Sequence, residues 1–448
     1  MGSLSGFRTI ERRDPPYRAV DQRIKDFHAV RQELSDRSVV EQAHRCMDCG
    51  VPFCHAYGCP LGNRIPDYTD AIIQGHWREA LNILHATNNF PEITGRICPA
   101  LCEASCTLSV DFSASICQQI ELSIAEMGWM KGWVVPQIPR YKSGRRIAII
   151  GSGPAGLATA QQLCRAGHEM VVFERSPRCG GLLRYGIPEF KLETWVVERR
   201  LRQMQEEGVV FETNVEVPSD VSSRYLLRRF DAIVVATGSP VPRDLPAPGR
   251  DLQGIHYALE YLSQANDEDG YQIDPNGKQV VVIGGGDTGS DCVGTAIRHG
   301  CASVTQIELL PKPPLVRTED NPWPQWPRVL RTSSSHEEGG TRLWSVGTKA
   351  YIGERGKVKK IACVNLSWGD SGYEEIPGTE FTIDADIVLL SLGFERPETF
   401  PFDHELDEQS RSKVFIAGDA YMGPSLVVRA IDSGRMCAKL VDTYCMSL

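Results

Sequence analysis

The sequence predicts an α/β protein: a small α-helical domain, then two Rossmann-like nucleotide-binding units, the second inserted into the first. Three observations carry that expectation. Arg146-Ile-Ala-Ile-Ile-Gly-Ser-Gly-Pro-Ala-Gly is a short apolar strand running into G-x-G-x-x-G at Gly151, Gly153 and Gly156. The pattern returns at Val280-Val-Val-Ile-Gly-Gly-Gly-Asp-Thr-Gly, with Gly284, Gly286 and Gly289 in the same places. Each copy is closed by an apolar strand and a small-residue turn, Asp231-Ala-Ile-Val-Val-Ala-Thr-Gly and Asp386-Ile-Val-Leu-Leu-Ser-Leu-Gly. In such a unit the first glycine makes the tight turn and the second lets backbone approach a pyrophosphate. The third lets the helix pack on the strand, with its N-terminus facing the phosphates.

The 448 residues have room for roughly two to four domains. Composition is that of an ordinary globular chain, and a net charge of -9 gives no electrostatic reason to expect nucleic acid or an anionic membrane as partner. No apolar run reaches membrane-spanning length. The start, Met1-Gly-Ser-Leu-Ser-Gly, lacks a signal-peptide core and matches a myristoylation signal only loosely, so a cytoplasmic location is expected. Eight of the fifteen cysteines fall between Cys46 and Cys117. Metal-bound thiolates in a reducing compartment fit that clustering better than a disulfide scaffold does.

Taken in order, the spacing predicts helices over 33–44, 65–90 and 116–127, a loop over 95–106 and a proline-rich linker over 133–141. The α-helical domain is therefore placed at 1–140. The first nucleotide unit takes 141–262 and 390–448, with a second strand ending Val171-Val-Phe-Glu, a glycine-rich turn at Cys179-Gly-Gly-Leu, an amphipathic helix over 193–207 and a strand over 209–213. The second unit takes 263–389. It has a strand over 304–310, a Pro/Trp-rich surface excursion over 311–327 and antiparallel strands over 345–352 and 357–367. Val414-Phe-Ile-Ala-Gly-Asp and a helix over 425–441 return to the first unit.

Two different nucleotide sites in one chain read as a flavin site and a nicotinamide site. For the flavin, Gly151, Ser152, Gly153, Pro154, Ala155 and Gly156 form the turn. Glu174 and Arg175 stand at the ribose end, and Gly181, Leu182, Lys191 and Val217 are further candidate contacts. Gly418 and Asp419 end the last strand, and Ser425, Leu426 and Val427 begin a helix whose N–H groups would face the flavin ring. For the nicotinamide cofactor the candidates are Gly284, Gly285, Gly286, Asp287, Thr288 and Gly289, with Glu308, Gly393 and Phe394. An acid at Glu308 accepts from a ribose 2′-OH and repels a 2′-phosphate, which favours NADH over NADPH; Lys312 and Arg317 follow closely and keep both open. Hydride transfer depends on stacking geometry, so no dedicated catalytic acid or base is assigned.

Cys46-x2-Cys49-x4-Cys54-x4-Cys59 and Cys98-x3-Cys102-x3-Cys106 are dense runs, with Pro60 and Pro99 beside them. Zinc commonly uses two separated pairs, whereas dense runs are closer to iron–sulfur usage. Either Cys117 or Glu121, one helical turn later, could complete a second four-ligand site. No C-x2-C or C-x4-C follows the first glycine turn to serve as a redox disulfide. Cys164 reads as helix core and Cys179 as structural. The clusters are then the exit for electrons that enter as a hydride.

The residues Cys46-Met-Asp-Cys-Gly-Val-Pro-Phe-Cys, Cys59-Pro-Leu-Gly-Asn, Ala86-Thr-Asn-Asn-Phe-Pro-Glu, Gly95-Arg-Ile-Cys-Pro-Ala-Leu-Cys-Glu-Ala-Ser-Cys and Gly284-Gly-Gly-Asp-Thr-Gly-Ser-Asp-Cys carry a resemblance to the small (β) subunit of glutamate synthase. It covers nearly the whole chain. The cysteine signature is shared with the N-terminal part of dihydropyrimidine dehydrogenase and with ferredoxin-linked transhydrogenases. The resemblance implies a glutathione-reductase-like pair of nucleotide domains, FAD in the first, NADH or NADPH in the second, and two 4Fe–4S clusters. One cluster would take Cys46, Cys49, Cys54 and Cys106; the other Cys59, Cys98, Cys102 and Glu121, leaving Cys117 spare. Glu308 stands where NADPH-using bacterial members carry two arginines, and Gln306-Ile-Glu-Leu-Leu-Pro looks more like the NADH-dependent plant enzymes. The region 395–414 is short for the family. The implied partner, in a hetero-oligomer, is a large subunit that forms glutamate from 2-oxoglutarate and glutamine. That step is not expected of this chain alone, where Met1-Gly2 offers no cysteine nucleophile. Alternative readings are a reductase subunit of another complex, of the transhydrogenase or sulfide dehydrogenase type, and a zinc-stabilised interaction protein without redox turnover.

Overall fold

The structure is a computed structural model that describes residues 5–266, 272–397, 401–402 and 408–448. The Met1-Gly2 start and part of the short 395–414 region lie outside the described residues.

In the first 140 residues, helix Asp36–Ala43 is capped by Ser35, whose hydroxyl accepts from the N–H of Ser38. The single helix expected over 65–90 is two, Ile65–Ile73 and Trp77–Thr87. Gly75 at φ +78° breaks the chain between them, so their apolar faces can fold onto one another. Ile72, Leu81, Leu84, Ile120 and Ile124 form a common core there. The expected loop over 95–106 is partly helical, with helices Pro91–Ile97 and Leu101–Ala104. Pro91 takes a first-turn position, where a missing N–H costs nothing. Helix Cys117–Met130 completes the domain.

The first nucleotide unit is a parallel sheet in the order Val414–Ile416, Ala232–Val235, Arg146–Ile150, Glu169–Glu174, Val210–Thr213. Its central strands are near-continuous β-branched runs because both faces are covered. The second is also parallel, in the order Ile255–Tyr257, Ile387–Leu390, Gln279–Ile283, Ser303–Glu308, Thr341–Trp344. Strand Val414–Ile416 rejoins the first sheet only after the whole second one is built. Strand Ile255–Tyr257 pairs with Ile387–Leu390, so the chain enters the second sheet before residue 255, ahead of the division expected after 262. A three-residue strand carries too little periodicity to be seen in advance. The two crossing segments pair with each other, Val241–Pro242 against Phe394–Arg396. Strands Val346–Glu354, Lys357–Gly369 and Phe381–Asp384 form an antiparallel layer beside the second sheet.

Buried ion pairs fix the helical domain against both units. Arg200, on helix Thr194–Glu207, donates to both oxygens of Glu92 at 2.7 and 2.8 Å. Arg23 donates to Glu338 at 2.7 Å. Among the described residues no helix is long and apolar enough to cross a membrane.

Candidate functional site

The two glycine turns are built alike. Gly151 and Gly284 sit at φ +102° and +119°, where an L side chain is strained. A Cβ on Gly156 or Gly289 would run into the carbonyl of Gly151 or Gly284, so these glycines set how closely the helix approaches the turn. Gly153 and Gly286 face open space, which leaves the turn accessible to a ligand. The acid of the second strand braces each turn. Glu174, buried, accepts from the N–H and hydroxyl of Ser152 at 3.1 and 2.5 Å. Glu308 accepts from the N–H of Gly285 at 2.5 Å and of Leu310 at 3.0 Å.

Between the units lies a cavity of about 840 Å³. From the flavin candidates it gathers Leu182, Lys191, Ser425, Leu426 and Val427; from the nicotinamide candidates, Asp287, Thr288 and Phe394; and from the cysteine run, Cys98. Lys191 forms an ion pair with Asp291, which the sequence reading passed over although it stands in the glycine motif that opens at Gly284. Both residues line the cavity.

Other candidates stand away from the walls of this cavity. Gly181, at φ +51°, packs on Gly153, and Gly418, at φ +67°, packs on Ala155. Asp419 accepts from the hydroxyl of Ser425 at 2.5 Å and so ties the last strand to the last helix. Arg175 is half-exposed, 3.9 Å from Glu216. Val217 packs against the apolar cluster that includes Phe173 and Phe230, and Gly393 sits at φ +80° next to the crossing ribbon.

The cysteines group around two small cavities. Cys59, Cys98, Cys102 and Glu121 line one; Cys46, Cys49, Cys54, Cys106 and Cys117 line the other. The first shares Thr94, Cys98, Ala100, Gln118 and Val428 with the large cavity. The second shares none of its residues with it. Asp48 (φ +50°) and Ala100 (φ +63°) curl the chain within each run, an uncommon conformation that persists where surrounding structure imposes it. Backbone N–H groups already hydrogen-bond sulfurs: Asp48 to Cys46, Asn63 to Cys59, Ala100 to Cys98 and Ser115 to Cys106. Burial pushes the Cys46 and Cys59 thiols up to about 12 and Cys98 to about 11. Thiols this reluctant to ionise need a positive core to become ligands. The donor set, cysteines around two small cavities with backbone N–H groups at their sulfurs, fits iron–sulfur clusters.

Glu121 is buried, and burial pushes its carboxyl up to about 7. Asn63 and Asn88 donate to it at 2.8 and 3.2 Å, and the hydroxyl of Thr94 also donates. These three holders were not singled out by sequence reasoning, although Asn88 lies in the Ala86-Thr-Asn-Asn stretch. The available signal was an Asn-Asn doublet at the end of an apolar helix. Asn89, the second of the pair, donates to Gln161 at 2.7 Å on the first glycine helix. Cys117, at the start of its helix, hydrogen-bonds Cys102. Trp323, in the Pro/Trp-rich excursion over 311–327, reaches the cysteines: its ring lies 4.6 Å from Phe53 and its N–H donates to the Cys106 carbonyl at 3.3 Å.

Comparison with known proteins bears on this arrangement. Residues 23–133 match the family described as dihydropyrimidine dehydrogenase domain II, 4Fe-4S cluster, and residues 145–434 match pyridine nucleotide-disulphide oxidoreductase. A glutamate synthase [NADPH] small chain of Mycobacterium tuberculosis is 46% identical over 100% of this chain and 96% of its own length. The chain belongs to the glutamate synthase small-chain family. A Bacillus subtilis glutamate synthase [NADPH] small chain is 41% identical over 100% of this chain and 99% of its own. A glutamate synthase [NADH] of Schizosaccharomyces pombe is 44% identical over 99% of this chain, which spans 23% of that protein. Mycobacterium tuberculosis FprA in complex with NADPH shares the fold, at TM-score 0.53 and 18% identity over 68% of this chain and 85% of that one. This member of the small-chain family is thus an iron–sulfur, flavin and NAD(P)H oxidoreductase subunit with α/β nucleotide domains.

Proposed function

We propose that the chain is the electron-input subunit of a glutamate synthase. In this reading NADH is oxidised at FAD, and two 4Fe–4S clusters carry the electrons to a large subunit that makes glutamate from 2-oxoglutarate and glutamine. The observation that carries it is the single cavity whose walls combine residues of both nucleotide units with Cys98. When bound, FAD takes a hydride as two electrons, and the clusters accept them singly.

The chain's own residues do the positioning. The Gly151–Gly156 turn and the N-terminus of helix Pro154–Arg165 hold the flavin pyrophosphate, and the Gly284–Gly289 turn holds that of the nicotinamide. Glu308 receives the adenosine ribose. Leu182, Phe394, Leu426 and Val427 exclude water from the meeting point. Cys59, Cys98, Cys102 and Glu121 hold the nearer cluster, because their cavity shares walls with the large one. Cys46, Cys49, Cys54 and Cys106 hold the farther one. The fusion seen in the Schizosaccharomyces pombe relative supports a large partner, since there the same sequence is a quarter or less of one chain. Co-purification from native extract tests the reading. The expected result is a brown complex with a much larger chain that has glutaminase activity. A colourless, zinc-holding chain without that companion contradicts it.

A further inference from the structure

The two cysteine cavities meet at a thin wall. Ile65 lines both cavities, Cys102 lines the nearer one and Cys117 the farther. The side chains of Cys102 and Cys117 are hydrogen-bonded to each other across that wall. Cys117 is only 2% exposed and is held in place by its neighbours. It opens helix Cys117–Met130, where its N–H donates to the Ser115 carbonyl at 3.0 Å. The next residue, Gln118, is pinned twice: its N–H donates to Glu103 at 3.0 Å and its side-chain amide to the Cys98 carbonyl at 2.5 Å. Ile116 and Ile120 pack into the helical core on either side.

The other sulfurs of the nearer site receive backbone N–H groups, from Asn63 and Leu61 at Cys59 and from Ala100 and Leu101 at Cys98. Cys102 receives a side chain. A sulfur that has become a ligand carries no hydrogen, so in this pair Cys117 is the donor and Cys102 the acceptor. Hydrogen bonds to ligand sulfurs help set the potential of an iron–sulfur centre, because they favour its more negative, reduced form. A buried cysteine is ordinarily a small apolar filler. Packing alone does not require that its S–H meet another sulfur.

We infer that Cys117 sets the reduction potential of the nearer cluster: its S–H donates to Cys102 and makes that cluster easier to reduce. Cys117 binds no iron and acts only through Cys102, as a positioning residue. The effect falls on the cluster whose cavity adjoins that of the flavin, which becomes the better acceptor there. This rests on the proposed assignment of Cys59, Cys98, Cys102 and Glu121 to one cluster.

Anaerobic redox titration of the native complex, read by absorbance and EPR, tests it in wild type, Cys117→Ala and Cys117→Ser. The nearer cluster is identified as the one whose signal Glu121→Ala removes. Cys117→Ala is expected to hold as much iron as wild type. Its nearer cluster should shift about threefold toward the oxidised form, a fall of about 30 mV for one electron. Serine has nearly the volume of alanine but keeps a donor, so Cys117→Ser should restore the wild-type potential or exceed it. The farther cluster should keep its potential in both variants. A nearer-cluster potential in Cys117→Ala equal to or above wild type overturns the inference. So do equal falls in the Ala and Ser variants, which would indicate packing, and equal shifts of both clusters. Loss of iron from either variant also overturns it, by making Cys117 a ligand. A wild-type complex without two cluster signals, or a Glu121→Ala complex that keeps both, overturns the cluster assignment itself.

Discussion

Glu121 is the residue on which the cysteine region turns. A carboxylate buried among Asn63, Asn88 and Thr94 is held by neutral donors alone, and in the proposed function a metal core would supply positive charge there. Glu121→Ala is expected to remove about half of the bound iron and one of two EPR signals, since its cavity is separate from that of Cys46. Cys117→Ser should leave iron content unchanged. His85 makes a prediction of a different kind. Its Nε2 is buried without a partner, and burial depresses its pKa to about 3. The folded state then keeps it neutral, while the unfolded state protonates it below its ordinary value of 6.5. Stability is complete above that pH and falls as pH drops from 6.5 toward 3, by up to about 1.4 kcal/mol per pH unit. His85→Leu should flatten the acid side of a Tm–pH profile relative to wild type; superimposable profiles would contradict the assignment.

At the scale of elements, contact between helices holds the cofactor regions together. Helix Val427–Ser447 crosses helix Pro154–Arg165 so closely that a Cβ on Gly434 would run into the Ala155 backbone. Gly434→Ala should cost about 1–3 kcal/mol through overpacking, read from chemical denaturation. The buried Glu92–Arg200 pair joins helix Pro91–Ile97 to helix Thr194–Glu207. Arg200→Met leaves Glu92 unpaired and should cost about 3–5 kcal/mol, whereas the double change Glu92→Leu/Arg200→Met should recover much of that loss. What the sequence made legible follows the same line. Strand–turn–helix patterns are local, so both nucleotide units and the cysteine groups could be read from spacing. The break at Gly75 was missed because apolar spacing continues across it. The short strand Ile255–Tyr257 was missed because its pairing to Ile387–Leu390 is made by distant residues. The holders of Glu121 and the Lys191–Asp291 pair lie far apart in sequence, so no local pattern could connect them.

For the whole molecule, the arrangement is a series of adjoining cavities: a large one shared by two nucleotide units, a cysteine site sharing its wall, and a second cysteine site beyond. The excursion carrying Trp323 ties the far site back to the nicotinamide unit, so all three parts touch one another. In the proposed function the first region would admit the hydride donor to the flavin, the second would take the electrons singly, and the third would deliver them. The measurement that tests this most directly is rapid anaerobic mixing of the native complex with NADH, followed by absorbance and freeze-quench EPR, in wild type and in Glu121→Ala. The account predicts that flavin absorbance falls first and reduced-cluster signals follow. In the variant the first phase should persist while the second is lost. Cluster signals that appear before flavin reduction, or that survive unchanged in the variant, would contradict it.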